Sequence, residues 1–359
     1  MQADALIRQV QYNCDICNAR HAGTYSVCGL LLRLRNLYKS QLGLPPWEEP
    51  DPRQALDWVS EQEKVWERLA GEEFRPLVFL GRVRIDPLDA EAVNARLRGS
   101  GLIYGAGFGW GLRPSFFLGR IEARRRVHGQ TVRIVGRELA RDLASTPAQL
   151  LGSRAVARAE SAGYYLWDRI HDVRKSGQPA LLYALRAHGI AAEDLGEGFF
   201  LRLAFPRMLK EEMESYIRHE IGEKLDDSFP RDVWRAIIAR FPGERIEIVA
   251  RALKDVAADT CDKGPLAYII RKKRGGSLGF YVAFLDGARR LLLPNIASAF
   301  EAFTSSGDWA ALDAARREAH QAAKESALKL IAIFSRLARD GEEKVKAAIA
   351  GRITDPLGL

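Results

Sequence analysis

Hydrophobic residues recur at helical spacing near the beginning of the chain and through most of its second half. Apolar positions three and four residues apart lie on one helix face, which favours an amphipathic helix. The segments with this pattern are residues 22–40, 52–70, 153–176, 207–225, 231–240, 244–258 and 323–339. From residue 144 onward the chain is therefore predicted to be almost entirely helical.

A different pattern lies between the helical regions. Residues 77–85 are predicted to form a strand, and Asp86 and Pro87 to begin a helix, because Asp is a favoured N-cap and Pro fits the first helical position. Residues 101–137 are rich in Gly and Arg and indicate further β structure. The predicted fold class is α+β, mostly helical, with a central antiparallel β segment over about residues 77–137 between an N-terminal helical region and a large C-terminal one. The corresponding domains are residues 1–75, 76–142 and 143–359.

Glycines alternate with other residues in the run YGAGFGWGL at residues 104–112, at Gly105, Gly107, Gly109 and Gly111. The run does not match the dinucleotide-binding fingerprint, because Trp110 stands where a glycine is required. A spacing of two is the strand period, so the four glycines would share one bare face. That face could be packed closely by a helix of the same chain, or it could receive a ligand or another protein chain.

Residues 116–137 are predicted to form a hairpin with a two-residue turn at His128 and Gly129. The resulting register pairs Arg124 with Arg133, Arg126 with Thr131, Glu122 with Val135 and Arg120 with Arg137. One face therefore carries five arginines, namely Arg120, Arg124, Arg126, Arg133 and Arg137. Neighbouring acidic side chains or solvent could offset their repulsion, and so could a phosphate-bearing partner such as nucleic acid.

The segment RHEIGEKLDD contains the main candidates for catalysis, Glu220, His219 and Glu223. It differs from the H-E-x-x-H motif of zinc peptidases because Glu223 replaces the second histidine. On a helical projection Glu220 lies within the apolar face, and His219 and Glu223 lie at its edge, one turn apart. A buried carboxylate there could be paired with an arginine, bind a divalent metal ion, or act as an acid or base with a raised pKa.

Asp168 and His171 form a second candidate, because a carboxylate and a histidine three residues apart on a helix can bind one ion together. A metal site could then combine Asp168 and His171 with the three residues near position 220. Without such an ion, the pair would be an ordinary surface pair. A divalent metal ion is the cofactor that these residues would hold.

Cys14, Cys17, His21 and Cys28 suggest zinc, but their spacing is wrong for a zinc knuckle. Cys28 also belongs to the apolar face predicted for residues 22–40. Lone buried cysteines are the alternative interpretation.

Composition excludes some classes of protein but does not decide between these candidate sites. The chain has 359 residues, of which 47% are hydrophobic, so it can fill a core and is not a disordered chain. It has no run of about eighteen apolar residues and no signal-peptide pattern, so we expect a cytoplasmic protein without a membrane segment. Its net charge of +8 permits an anionic partner without requiring one.

Three stretches together resemble an uncharacterised family of bacterial proteins. They are NCDICNARHAGTYSVCGLLLRLRNLYKSQLGLPPWEE, FGWGLRPSFF and RHEIGE. The resemblance extends over most of the chain and implies a bacterial source. It implies no catalytic residues, because no activity is established for that family.

The sequence alone is compatible with three functions. The first is an enzyme, hydrolytic or redox, with a helical metal or acid/base site built from carboxylates and histidine. The second is a non-enzymatic binder of an anionic ligand or nucleic acid through the arginine face. The third is an assembly protein, such as a homo-oligomer, whose glycine face docks another chain.

Overall fold

The computed structural model describes residues 2–191 and 198–358. The chain forms two compact units, one made of Met1–Gly109 with Arg113–Asp168 and the other of Trp110–Leu112 with Arg169–Leu359. The division after residue 168 differs from the boundaries near residues 75 and 142 that the sequence suggested.

The first unit combines helices with two sheets. Its helices are α1 (Gln2–His21), α2 (Val27–Leu42), α3 (Pro52–Leu69), α4 (Ala90–Arg96) and most of α5 (Ala159–His171). Its strands are β1 (Leu77–Phe79), β2 (Val83–Ile85), β3 (Leu102–Phe108), β4 (Pro114–Val127), β5 (Gln130–Arg141), β6 (Ala148–Leu151) and β7 (Arg154–Arg158). This arrangement confirms the α+β fold class, with β structure between helical regions.

The larger sheet has the strand order β3-β4-β5-β7-β6. All of its pairs are antiparallel except β5 with β7, which is parallel. One face packs against α1, where Val10 and Cys14 meet Tyr104, Phe116 and Leu118. The other face forms a smaller core that includes Ile103, Phe117, Val135 and Val156. Both faces of the sheet therefore carry buried apolar side chains.

Several predicted elements of this unit are wrong in position. Residues 153–176 were predicted to be one helix, but residues 154–158 form β7 and the helix begins only at Ala159. The strand predicted over residues 77–85 is a short hairpin, β1 paired with β2. The helix predicted to begin at Asp86 begins at Ala90, because Asp89 accepts the N-cap hydrogen bond from Ala92.

The glycine run is not a single extended face. Gly105 and Gly107 lie in β3, but the strand ends at Phe108, and Gly111 adopts a left-handed φ of 66°. The Phe117 ring covers Gly105, where a Cβ atom would lie 1.9 Å from a ring carbon. A side chain of the same chain therefore occupies part of the face that was predicted to be bare.

The predicted hairpin is present, and its turn has left-handed φ angles at His128 (47°) and Gly129 (75°). Arg124 faces Arg133 and Arg126 faces Thr131, as the register predicted. Nearer the base, irregular pairing places Ile121, not Glu122, opposite Val135. Arg120 faces Leu102 of β3, and its predicted pairing with Arg137 does not occur. The extra residue of a β-bulge explains such a shift.

The second unit is helical. Its helices are α6 (Gln178–Ala187), α7 (Phe199–Leu225), α8 (Arg231–Arg240), α9 (Arg245–Thr260), α10 (Pro265–Arg271), α11 (Gly275–Ala283), α12 (Gly287–Leu292), α13 (Pro294–Ser306), α14 (Trp309–Phe334), α15 (Leu337–Asp340) and α16 (Glu342–Ile349). The predicted helix over residues 323–339 overlaps the second half of α14, which begins at Trp309 and ends at Phe334, and its last residues belong to α15. None of the helices in the described part of the chain is long and apolar enough to cross a membrane.

Two features of this unit position the candidate site. Its main core joins α8, α9, α14 and α16 through residues such as Ile237, Leu253 and Leu330. Helix α7 packs against α9, and Gly222 lies so close to α9 that an added Cβ would be 2.3 Å from the Ala258 carbonyl oxygen. The missing side chain at position 222 therefore lets the two helix backbones approach.

Candidate functional site

Polar side chains face one another where α7 packs against α9. His219 and Glu223 lie one turn apart on α7, and Asp255 and Asp259 lie one turn apart on α9. His219 Nδ1 is 2.8 Å from Asp259 Oδ1. On the other side of the ring, Nε2 is 3.9 Å from both Glu223 Oε1 and Asp255 Oδ1. The imidazole thus lies between one carboxylate and a pair of others.

His219, Glu223 and Asp255 have the geometry of a metal-binding group. One ligand atom from each lies within 4.8 Å of the other two, and no other group of three has this property in the part of the chain that the structure describes. In a tetrahedral site with metal–ligand distances of about 2.1 Å the ligand atoms are about 3.4 Å apart, so an inward movement of the side chains would complete the site. The three side chains are 21–31% exposed, which leaves room for water or substrate beside an ion.

Asp259 holds the histidine in place. Its side chain is only 2% exposed, and besides His219 it accepts hydrogen bonds from Tyr281 at 3.0 Å and Arg289 at 2.5 Å. Tyr281 comes from α11 and Arg289 from α12, so four helices contribute to the site. A carboxylate that accepts from Nδ1 leaves Nε2 available toward Glu223 and Asp255, as in carboxylate–histidine–metal arrangements.

The charges of the cluster are strongly coupled. Burial alone would lower the pKa of His219, but Asp259, Asp255 and Glu223 outweigh it and raise that pKa to about 10. Burial raises the pKa of Asp255 to about 6. Burial also opposes ionisation of Asp259, but Arg289 and His219 hold the pKa of this carboxyl below its usual value. The site therefore favours a positive charge at or near His219 Nε2, which a proton or a metal ion can supply.

The predicted residue Glu220 has a different position. It is buried in α7, as its place in the apolar face predicted, but it does not belong to the group of three ligands. The charge of Glu220 acts on Arg231, together with that of Glu223. Of the three residues predicted near position 220, His219 and Glu223 thus contribute to the group.

The two residues of the second predicted pair, Asp168 and His171, belong to different units. Asp168 belongs to the first unit, where Arg35 and Asn36 donate hydrogen bonds to its two carboxylate oxygens. His171 is exposed in the second unit. The structure thus places Asp168 in a hydrogen-bonded ion pair and leaves His171 on the surface.

The cysteines do not form the arrangement that a zinc site requires. Cys14 and Cys17 are buried, and their thiols donate to the carbonyl oxygens of Phe116 and Pro114. Cys28 is exposed on α2, so its predicted position in an apolar helix face is wrong. Burial raises the pKa of both buried thiols, which disfavours the thiolate form that binds metals.

Asp255 and Asp259 were not predicted from the sequence to belong to the site. Their signal was visible, because DVAAD places two carboxylates one turn apart with only Val and Ala between them. What the spacing does not show is that this face of α9 meets α7.

Two family models match the chain, and both describe one family of unknown function (DUF6866). Its N-terminal domain matches residues 5–158 and its C-terminal domain matches residues 163–352. Comparison with curated proteins and with solved structures gave no match. The resemblance to an uncharacterised family is confirmed, and it brings no activity with it.

Proposed function

The chain belongs to the DUF6866 family, and from the geometry of the candidate site we propose that it is a divalent-metal-dependent hydrolase. The observation that carries the proposal is the group formed by His219, Glu223 and Asp255, with ligand atoms within 4.8 Å of one another. The hydrogen bond of His219 to Asp259 supports it, since a histidine that binds a metal through one ring nitrogen commonly donates a hydrogen bond from the N–H of the other to a carboxylate.

The charges of the site also favour a cation. With His219 neutral, the guanidinium of Arg289, which pairs with Asp259, is the basic group within ion-pair distance of the Glu223, Asp255 and Asp259 carboxylates among the described residues. Among these side chains the negative charge exceeds the positive charge by two, which a divalent ion would offset. One imidazole and two carboxylates suit Zn²⁺, Mn²⁺ or Fe²⁺ better than a site built from oxygen ligands alone.

Hydrolysis fits this arrangement. An ion held there would polarise a substrate oxygen and lower the pKa of a bound water molecule. Three protein ligands leave further coordination positions open, and the ligands are partly exposed. The role of the protein residues is then to hold the ion on two packed helices and to keep His219 in one tautomer through Asp259.

The competing explanation is a purely structural network. A protonated His219, together with Arg289, could offset two of the three carboxylate charges without any ion, and the raised pKa of His219 is consistent with that state. In that case a metal ion would have to displace the proton, and the protein would bind divalent ions only weakly.

Metal analysis of protein purified without a histidine tag tests the proposal. We expect about one Zn²⁺, Mn²⁺ or Fe²⁺ per chain, and metal-dependent hydrolysis in a screen of simple carboxylic and phosphoric esters. Glu223→Gln combined with Asp255→Asn should lower the metal affinity by at least about 100-fold, measured by calorimetry on the metal-free protein.

The matched control removes two carboxylates outside the site. Asp227 and Glu318 are exposed in the same unit, so Asp227→Asn combined with Glu318→Gln should leave the metal affinity unchanged. If the native protein bound none of the three ions stoichiometrically, or if both double variants bound equally well, the proposal would be wrong.

A further inference from the structure

Arginines from three adjacent strands of the first unit lie side by side. Arg124 on β4 faces Arg133 on β5, and β7 runs beside β5 with Val156 opposite Arg133. Arg154 lies two residues before Val156 and therefore points to the same face as Arg133. Arg126 follows Arg124 on that face of β4. We call Arg124, Arg126, Arg133 and Arg154 the arginine cluster.

The members of the arginine cluster repel one another. Burial lowers the pKa of Arg133, and the charges of Arg154 and Arg124 lower it further. Arg133 Nε is buried and makes no hydrogen bond. Within the described residues, no carboxylate lies within ion-pair distance of any member. Like charges on facing strands cost a few tenths of a kcal/mol to about 1 kcal/mol per pair, and no direct ion pair among the described residues offsets that cost.

The sheet narrows to a two-stranded ribbon next to the hairpin turn. Strand β3 pairs with β4 only as far as Arg120, and β7 pairs with residues 132–135 of β5. Beyond these points the hairpin strands pair only with each other, up to the turn at His128 and Gly129. Of the cluster, Arg126 therefore lies on this ribbon, whereas Arg124, Arg133 and Arg154 lie on a three-stranded, positively charged face.

We propose that the arginine cluster binds the phosphate backbone of duplex DNA. Three neighbouring strands spread the guanidinium groups over about 10 Å, and Arg126 extends them by about 7 Å along β4, which is wider than one phosphate group. Residues 120–127, 130–137 and 154–158, which carry the arginines, include no Phe, Tyr or Trp, which disfavours single strands held by base stacking.

Binding through phosphates has a defined salt dependence. The logarithm of the binding constant falls with the logarithm of salt concentration with a slope of about −0.9 per neutralised phosphate. Three or four contacts from the arginine cluster predict a slope of about −3 to −4 and little preference between unrelated sequences. Each arginine that is removed should reduce the slope by about 1.

Fluorescence anisotropy with labelled duplexes of two unrelated sequences tests this inference between 50 and 200 mM salt. Arg124→Gln combined with Arg133→Gln should weaken duplex binding by at least about 10-fold and reduce the slope by about 2. Since the substitutions relieve repulsion, the melting temperature should not fall. The substitution Arg126→Glu changes one exposed residue, so it should not impair folding. It should also weaken duplex binding, which separates a loss of binding from a folding defect.

Arg96 and Arg98 supply the matched control, because both are exposed in the same unit and outside the ribbon. Arg96→Gln combined with Arg98→Gln removes the same charge and should leave affinity and slope nearly unchanged. Equal loss in both double variants, tighter binding to a single strand of the same length, or no duplex binding at 50 mM salt would each overturn the inference. The outcome is independent of metal binding in the second unit.

Discussion

Asp259 accepts hydrogen bonds from three side chains, and the orientation of His219 depends on them. The distances from the Asp259 carboxylate oxygens to the hydrogen-bonding atoms of His219, Tyr281 and Arg289 are 2.5–3.0 Å. In an Asp259→Asn variant one acceptor becomes an NH₂ donor, which cannot replace the charge beside Arg289. We expect the metal affinity to fall by about 10- to 100-fold, the usual effect of losing the partner of a histidine ligand.

Calorimetric titration of the metal-free protein measures that change. Asp286→Asn is the matched control, since Asp286 pairs with Arg169 in the same unit but takes no part in the site. Both variants lose one aspartate–arginine ion pair, so a difference between them reports on His219. An unchanged affinity in Asp259→Asn would show that His219 is positioned by other contacts.

Glu212 makes the stability of the protein sensitive to pH. Burial raises the pKa of this carboxyl from 4.5 to about 7, against a hydrogen bond with Ser277. A group with a raised pKa in the folded state contributes stability below its unfolded pKa and loses it as pH rises through the folded value. As the pH rises from 5 to 8, ionisation of Glu212 should lower the free energy of unfolding by roughly 3 kcal/mol.

Urea unfolding of Glu212→Gln at a series of pH values tests this expectation. The variant should lose less stability than the native protein between pH 5 and 8, because its amide does not ionise. Glu318→Gln, which removes an exposed carboxyl, should retain the pH profile of the native protein. Parallel profiles for native protein and Glu212→Gln would contradict the assignment.

At the scale of elements, the contact between α7 and α9 determines whether the ligands meet. An Ala at position 222 would place its Cβ 2.3 Å from the Ala258 carbonyl oxygen, and backbone cannot yield as a flexible side chain can. Gly222→Ala should therefore separate the helices and cost about 1–3 kcal/mol of unfolding free energy, as overpacking usually does. It should also weaken metal binding, because Glu223 is the next residue.

Urea unfolding and metal titration of the same variant check both effects. Gly351→Ala is the control, since an added Cβ there meets nothing within 4 Å, and it should be neutral or slightly stabilising. Unaltered stability and metal affinity in Gly222→Ala would mean that the close approach has no role in forming the site.

The elements also show what the sequence can and cannot predict. Long amphipathic helices such as α3 and α9 were predicted because their period of 3.6 is strong over several turns. The short strands β6 and β7 were missed, since four or five residues of Ala, Leu, Val and Arg do not distinguish a strand from a helix. The hairpin register was correct near its turn and wrong beyond the irregular pairing, which depends on neighbouring strands.

The candidate site was likewise predicted only in part from the sequence. The sequence identified His219 and Glu223 because they lie one turn apart beside an apolar face. It did not identify Asp255 as their companion, since pairing of helix faces is a tertiary property that a single sequence does not reveal. Its grouping with Asp168 and His171 rested on residue type alone, and Asp168 is bound instead by Arg35 and Asn36.

At the scale of the whole molecule, each unit has buried side chains of its own. The first unit packs α1 on its sheet and buries Glu138 between Arg158 and Ser161. The second has a separate helical core that includes Leu253 and Leu330. A ligand that binds only the second unit should therefore stabilise that unit without stabilising the first.

Amide hydrogen exchange with and without bound metal tests this separation. At a free metal concentration of 100 times Kd, binding adds about 2.7 kcal/mol to the stability of the unit that holds the ion. Protection should rise in α7 and α9 and stay constant in β4 and β5, because the ligands come from the helical unit alone. Equal gains in both units would mean that they unfold as one cooperative body. The Glu223→Gln and Asp255→Asn double variant should show no gain in either unit, which separates a metal effect at this site from a general effect of the added salt.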